Sequence, residues 1–175
     1  WVFLLREARH YRPVNDQGEN SVIKVLKAFL PATILAFLLA SVLSTQMILA
    51  RVQAMGLDIP VNVRVMTTLQ DIVGMASSYL LLITLAFALA LPVAARLARV
   101  ITERSVVLYI LAGFVAIAVL HIALQFTLGI HPIPATRTLP GFLGQCLAGA
   151  AGGWCYYRLR QANRSIKHTE TPNVA

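Results

Sequence analysis

Residues Ser105–Leu128 read SVVLYILAGFVAIAVLHIALQFTL, 24 positions without one Asp, Glu, Lys or Arg. A hydrocarbon core about 30 Å thick needs about 20 such residues in helical form. Working outward, three more runs share the property: residues 28–50 (23 positions), 72–95 (24) and 138–157 (20). None shows the two-residue alternation of a barrel strand, and backbone groups in lipid must bond within their own segment, so each is expected to be a helix. Composition points the same way. Of 175 residues, 58% are apolar and only 13% charged, against about 25% charged in ordinary soluble domains. A soluble fold this small leaves too much surface in water to hide that apolar content.

Positive charge orients the runs. Arg6, Arg9, Arg12, Lys24 and Lys27 precede the first; Arg96, Arg99 and Arg104 separate the second from the third; Arg158, Arg160, Arg164 and Lys167 follow the last. Only Arg51, Arg64 and Arg137 fall on the other side. The positive-inside rule then predicts an all-α membrane protein of four transmembrane helices in a bundle, with N- and C-termini cytoplasmic. The expected organisation is a cytoplasmic or interfacial tail over residues 1–27, the transmembrane domain over 28–157, and a basic tail over 158–175. The net charge of +8 is thus a topology signal spread over three membrane flanks. It argues for anionic lipid headgroups and against nucleic acid as partner. Strong asymmetry and compactness suggest a bacterial inner membrane.

The opening residues WVFLL (1–5) suit an interfacial segment or the last turn of an earlier span. Residues 15–20 (NDQGEN) read as a polar linker. About 27 polar or mixed residues before the first span leave no signal-peptide pattern. The tail from Gln161 onward reads as disordered. In the first outer loop, Gly56 and Pro60 mark a stop and a turn. After it, Val65, Leu69 and Ile72 share one side while Arg64, Thr68 and Asp71 supply polarity elsewhere, which predicts a short amphipathic helix on the outer surface rather than a lone strand over 61–65. The second outer loop, GIHPIPATRTLP over 129–140, carries three prolines and is expected to run extended and stiff. Pro31 and Pro92 fall near the ends of their apolar runs and predict no hinge.

The fourth run is rich in small residues. Gly144, Ala148 and Gly152 recur every fourth position, and Gly149 with Gly153 makes a GxxxG pair, a face on which helix backbones approach closely in lipid. Packing on this chain's own helices is the favoured reading, with a homo-oligomer or a larger membrane partner as the alternatives. Trp154, Tyr156 and Tyr157 suit the interface. Cys146 and Cys155 are too far apart on one helix to join, and read as packing residues.

A polar layer crosses the outer leaflet: Ser41, Ser44, Thr45 and Gln46 on the first helix, Ser77, Ser78 and Tyr79 on the second, His121 and Gln125 on the third, Gln145 on the fourth. Such groups turn inward and bond across helices. The layer reads first as a hydrogen-bond network that sets packing register. Its alternative is a ligand pocket of Ser77, Tyr79, His121, Gln125 and Gln145, flanked by Asp71 and Arg137.

No span carries an acid or a base of the kind that drives pumps and carriers. His121 lacks a second axial histidine for haem and companions for a metal. No HExxH, GxSxG, CxxC or phosphate loop occurs, and Ser77 or Ser78 beside His121 lacks an orienting acid. No catalytic residue, metal or cofactor is assigned. The expected function is a non-catalytic accessory or assembly subunit acting by helix packing. Small-molecule or lipid binding or transport through the outer polar pocket is the alternative.

Overall fold

The computed structural model describes residues 14–101, 105–129 and 133–169. Residues 1–13, with Arg6, Arg9 and Arg12, residues 102–104, with Arg104, residues 130–132, and residues 170–175 of the tail lie outside them. The elements are α1 (Val14–Ala54), α2 (Val61–Ala76), α3 (Tyr79–Val100), α4 (Ser105–Leu128), a 3-10 turn (Pro134–Arg137) and α5 (Leu139–Thr169). No strand occurs among the described residues. Val61 opens a helix, and the amphipathic expectation for this segment holds.

Three helical segments, Val22–Ala54, Tyr79–Val100 and Ser105–Thr127, are long and apolar enough to cross a membrane. The protein is therefore a multi-pass, all-helical membrane protein. The α5 helix is diluted by glycines, Gln145 and three aromatic residues, Trp154, Tyr156 and Tyr157, yet it is closely enclosed, running along both α1 and α4. A helix shielded by its neighbours has no need of the large apolar side chains that a lipid-facing helix carries. The α3 helix packs chiefly on α4 and more lightly on α1, and α2 lies against α1.

Several boundaries differ from the charge-free runs. The 41 residues of α1 extend about 61 Å at 1.5 Å per residue, about twice the hydrocarbon thickness. Residues 15–20 are helical rather than a linker, because an established helix propagates through polar residues at little cost. The same holds at the C-terminus, where α5 continues to Thr169 in place of the expected disorder from Gln161. Pro31 and Pro92 lie inside α1 and α3 without ending them, as membrane helices tolerate. The link from α1 to α2 is short, and Gly56 makes it at φ 88°, a left-handed conformation that side chains oppose. At Ser77 and Ser78 the backbone stays in the right-handed helical region, so α2 leads into α3 through a slight break. The second outer loop is not wholly extended: Pro134 opens a 3-10 turn, where a missing N–H costs nothing.

Backbone contact between α4 and α5 sets the centre of the bundle. A methyl group at Gly113 or Gly149 would collide with the other residue's carbonyl, and one at Gly153 with the Tyr109 carbonyl. At Gly152 a Cβ would stand 2.8 Å from the Ala36 methyl and the Phe87 ring and 2.9 Å from the Ala32 carbonyl. Gly149 and Gly153 thus serve α4, and Gly152 serves α1 and α3. Ala148 is also buried. Gly144 meets only Leu43, at 3.9 Å. On α1 the matching surface is Ala28, Ala32, Ala36, Ala40 and Ser44, every fourth residue and all buried. That period-four stripe is as visible in the sequence as the one on α5. Ile83, Phe87 and Leu91 of α3 complete the core.

Candidate functional site

The inward-facing polar groups resolve into two clusters at different depths. The deep one joins four helices. Tyr79 Oη at the start of α3 donates to Gln145 Oε1 of α5 at 2.8 Å. Gln145 Nε2 in turn donates to the Ala40 carbonyl of α1 at 2.9 Å. His121 of α4 has Nδ1 2.8 Å from the Ile117 carbonyl. A carbonyl can only accept, so Nδ1 carries the proton and Nε2 is left as the acceptor. Nε2 lies 3.5 Å from Tyr79 Oη, a long approach, since the tyrosine's one hydrogen is directed to Gln145. Phe37 and Phe142 close the cluster edge-on, against Tyr79 and His121 with ring centroids 6.3 Å apart in each case. Gln145 is only 1% exposed.

The shallow cluster staples α2 to α1. Thr45 Oγ1 donates to Asp71 Oδ2 at 2.7 Å, and Gln46 Nε2 to Thr68 Oγ1 at 3.2 Å. Arg64 forks between two glutamines, donating to Gln46 Oε1 at 3.1 Å and to Gln53 Oε1. Arg64, Thr68 and Asp71, spaced by four and three, form the side of α2 that faces α1. Their separation from the apolar side is visible in the sequence; their partners are not, because they lie on another helix.

The proposed pocket residues therefore divide. Tyr79, His121 and Gln145 come together. Asp71 is half-buried in the shallow cluster instead. Ser77, Gln125 and Arg137 are exposed and join neither. Gln125 was expected to share the inner side of His121 because it is four residues on. By that point α4 has run past the core, and no residue from Ile122 to Thr127 is buried. Arg137 is carried outward by the 3-10 turn, and Arg51 Nη2 reaches Thr138 Oγ1 beside it at 2.6 Å. Ser41 and Ser44 are buried, and their hydroxyls have no hydrogen-bond partner.

At the opposite end of the bundle, Arg160 Nη1 donates to Tyr109 Oη at 2.9 Å. Arg158 lies over the Trp154 ring, 5.1 Å from its centroid. Tyr109 also meets Tyr156 and Tyr157, at 5.5 and 5.8 Å, so these aromatic rings are tied into the α4–α5 contact. Cys146 and Cys155 are both free thiols. Among the described residues no three His, Cys, Asp or Glu side chains gather as metal ligands.

This geometry can hold three helices in one register, since Gln145 of α5 bonds through Oε1 to Tyr79 of α3 and through Nε2 to the Ala40 carbonyl of α1, while His121 of α4 packs edge-on against Tyr79. No protein-family model, curated protein or solved structure matches the chain.

Proposed function

We propose that this chain is a four-span protein of a bacterial inner membrane, with both termini cytoplasmic, serving as a non-catalytic accessory or assembly subunit of a larger membrane partner. The topology rests on the charge asymmetry and on α5 as the fourth span. Reporter fusions test it: a tag after residue 175 should report the cytoplasm, and one inserted at Gly56 the outside.

One observation carries the accessory role. Val61, Val65, Leu69 and Val73, each four residues from the next, form a single ridge along α2, and Leu69 and Val73 are 55% and 77% exposed. No residue of α2 is buried, while its polar side is stapled to α1. Such a helix turns its apolar side outward and calls for an apolar partner there. The small-residue face of α5, by contrast, is occupied within the chain and supports neither a homo-oligomer nor a foreign helix. In native mass spectrometry of gently extracted protein, Leu69→Asp should strip a co-purifying subunit while insertion remains normal. Retention of every neighbour by Leu69→Asp and Val73→Asp together would remove the ridge as a docking site.

The second reading, a polar pocket for a small molecule or lipid, draws its support from the unpartnered hydroxyls of Ser41 and Ser44 near the Tyr79–Gln145 pair.

A further inference from the structure

A groove of about 580 Å³ runs between α3 and α4, from Leu82 and Ala123 at one end to Leu97 and Leu108 at the other. Its lining is almost wholly apolar. Ala90, Ala94, Ala112 and Ala116 lie along the floor, half-buried or buried, while Leu85, Leu89, Val115 and Val119 stand out along the two rims.

We propose that this groove seats one acyl chain of an anionic phospholipid, whose headgroup is held by Arg96 and Arg99. Three observations bear on the occupant. First, the groove follows 16 residues of each helix, from 82 to 97 and from 108 to 123, about 22 Å over 15 rises of 1.5 Å. That is long enough to take an acyl chain across its own leaflet, half of a hydrocarbon core about 30 Å thick. Second, the groove is walled: Leu85 and Leu89 on α3 and Val115 and Val119 on α4 stand up on either side of its alanine floor. The raised rims also hold a partner backbone away from the alanine floor, the reverse of the flat small-residue surfaces on which membrane helices pack. Such a walled channel takes a flexible methylene chain more readily than a second helix backbone. Third, one end is basic. Arg96 follows Leu89 by seven residues, two turns along the same side of α3, and Arg99 lies one turn further. Both are exposed, and neither has a hydrogen-bond or ion-pair partner among the described residues. The lining itself is uncharged throughout, and beside the far end residues 77–82 and 122–127 carry no Asp, Glu, Lys or Arg. Charge at one end and hydrocarbon along the rest match a lipid with a phosphate head.

The full chain in nanodiscs of equal phosphatidylglycerol and phosphatidylcholine, released into mild detergent for native mass spectrometry, tests the assignment. The wild type should retain one phosphatidylglycerol in preference to phosphatidylcholine. Arg96→Gln with Arg99→Gln should lower phosphatidylglycerol retention by about thirtyfold, as two arginines near an anionic headgroup warrant, and leave phosphatidylcholine retention unchanged. Ala90→Phe with Ala112→Phe, which fills the floor, should release both lipids. Equal retention of the two lipids by the wild type would overturn the proposal. So would an unchanged lipid adduct on the filled variant, or a dimer that the filled variant abolishes, since the groove would then seat a second copy. Because the arginine variants change only exposed side chains, the headgroup half of the test does not depend on how the core tolerates phenylalanine.

Discussion

Tyr79 and Gln145 allow the register-setting role of the deep cluster to be measured as a coupling energy. Interhelical hydrogen bonds in membranes average about 0.6 kcal/mol and reach about 1.7. Tyr79→Phe removes one such bond, to Gln145 Oε1, and should cost about 0.6 kcal/mol. Gln145→Leu removes that bond and the one to the Ala40 carbonyl, two in all, and should cost about 1.2 kcal/mol. The Tyr79–Gln145 bond is common to both variants. The double variant should therefore cost about 1.2 kcal/mol rather than about 1.8, a coupling near 0.6 kcal/mol that exceeds the scatter of independent sites. Reversible unfolding in mixed micelles, with helicity and tryptophan fluorescence as probes, gives all four corners of the cycle. Strict additivity would show that the two side chains do not act on one another. Stability unchanged in all three variants, with loss of a bound small molecule, would refute the structural role and favour the polar-pocket reading.

The glycines of α5 differ sharply in what surrounds them. Gly149→Ala should cost about 1–3 kcal/mol, the usual range for overpacking, because its methyl meets the backbone of α4, whereas Gly144→Ala should be close to neutral, as only the tip of Leu43 lies near; parallel thermal melts in detergent decide this, and equal effects would contradict the α4–α5 contact. In the α1–α2 link, Gly56→Ala should cost about 1–2 kcal/mol from the left-handed backbone alone, since nothing lies within 4 Å of the new methyl. Gly56→Asn should cost less, because asparagine visits that conformation, and the same melts would expose an error if the two substitutions ranked the other way.

Apolar runs, charge asymmetry and stop signals are local properties, which is why the helical class, the span of α4, the turn at Gly56 and the amphipathic sides of α2 can be read along the chain. Helix ends are less local. Residues 15–20 look like a linker by composition, yet they extend a helix already nucleated by the apolar residues that follow. Partnership is not local at all. Ser77, Gln125 and Gln145 look alike as polar residues in apolar runs, and only the bundle distinguishes them. Gln145 lies where α1, α3 and α5 converge, Gln125 beyond the core, and Ser77 on the outer side of a helix break. The small-residue face of α5 was evident as a face, but which of its glycines meets α1 and which meets α4 follows from the way three helices pack around it. The groove between α3 and α4 shows the same limit. Its alanines and leucines are unremarkable in order along each helix, and they become floor and rim only when two antiparallel helices stand side by side. Sequence alone determined that these segments are helical and apolar enough for a bilayer, because hydropathy and backbone satisfaction act within a segment. Tertiary structure alone decided which polar groups are joined, which faces are occupied and which remain open, because those depend on distances between residues far apart in the chain.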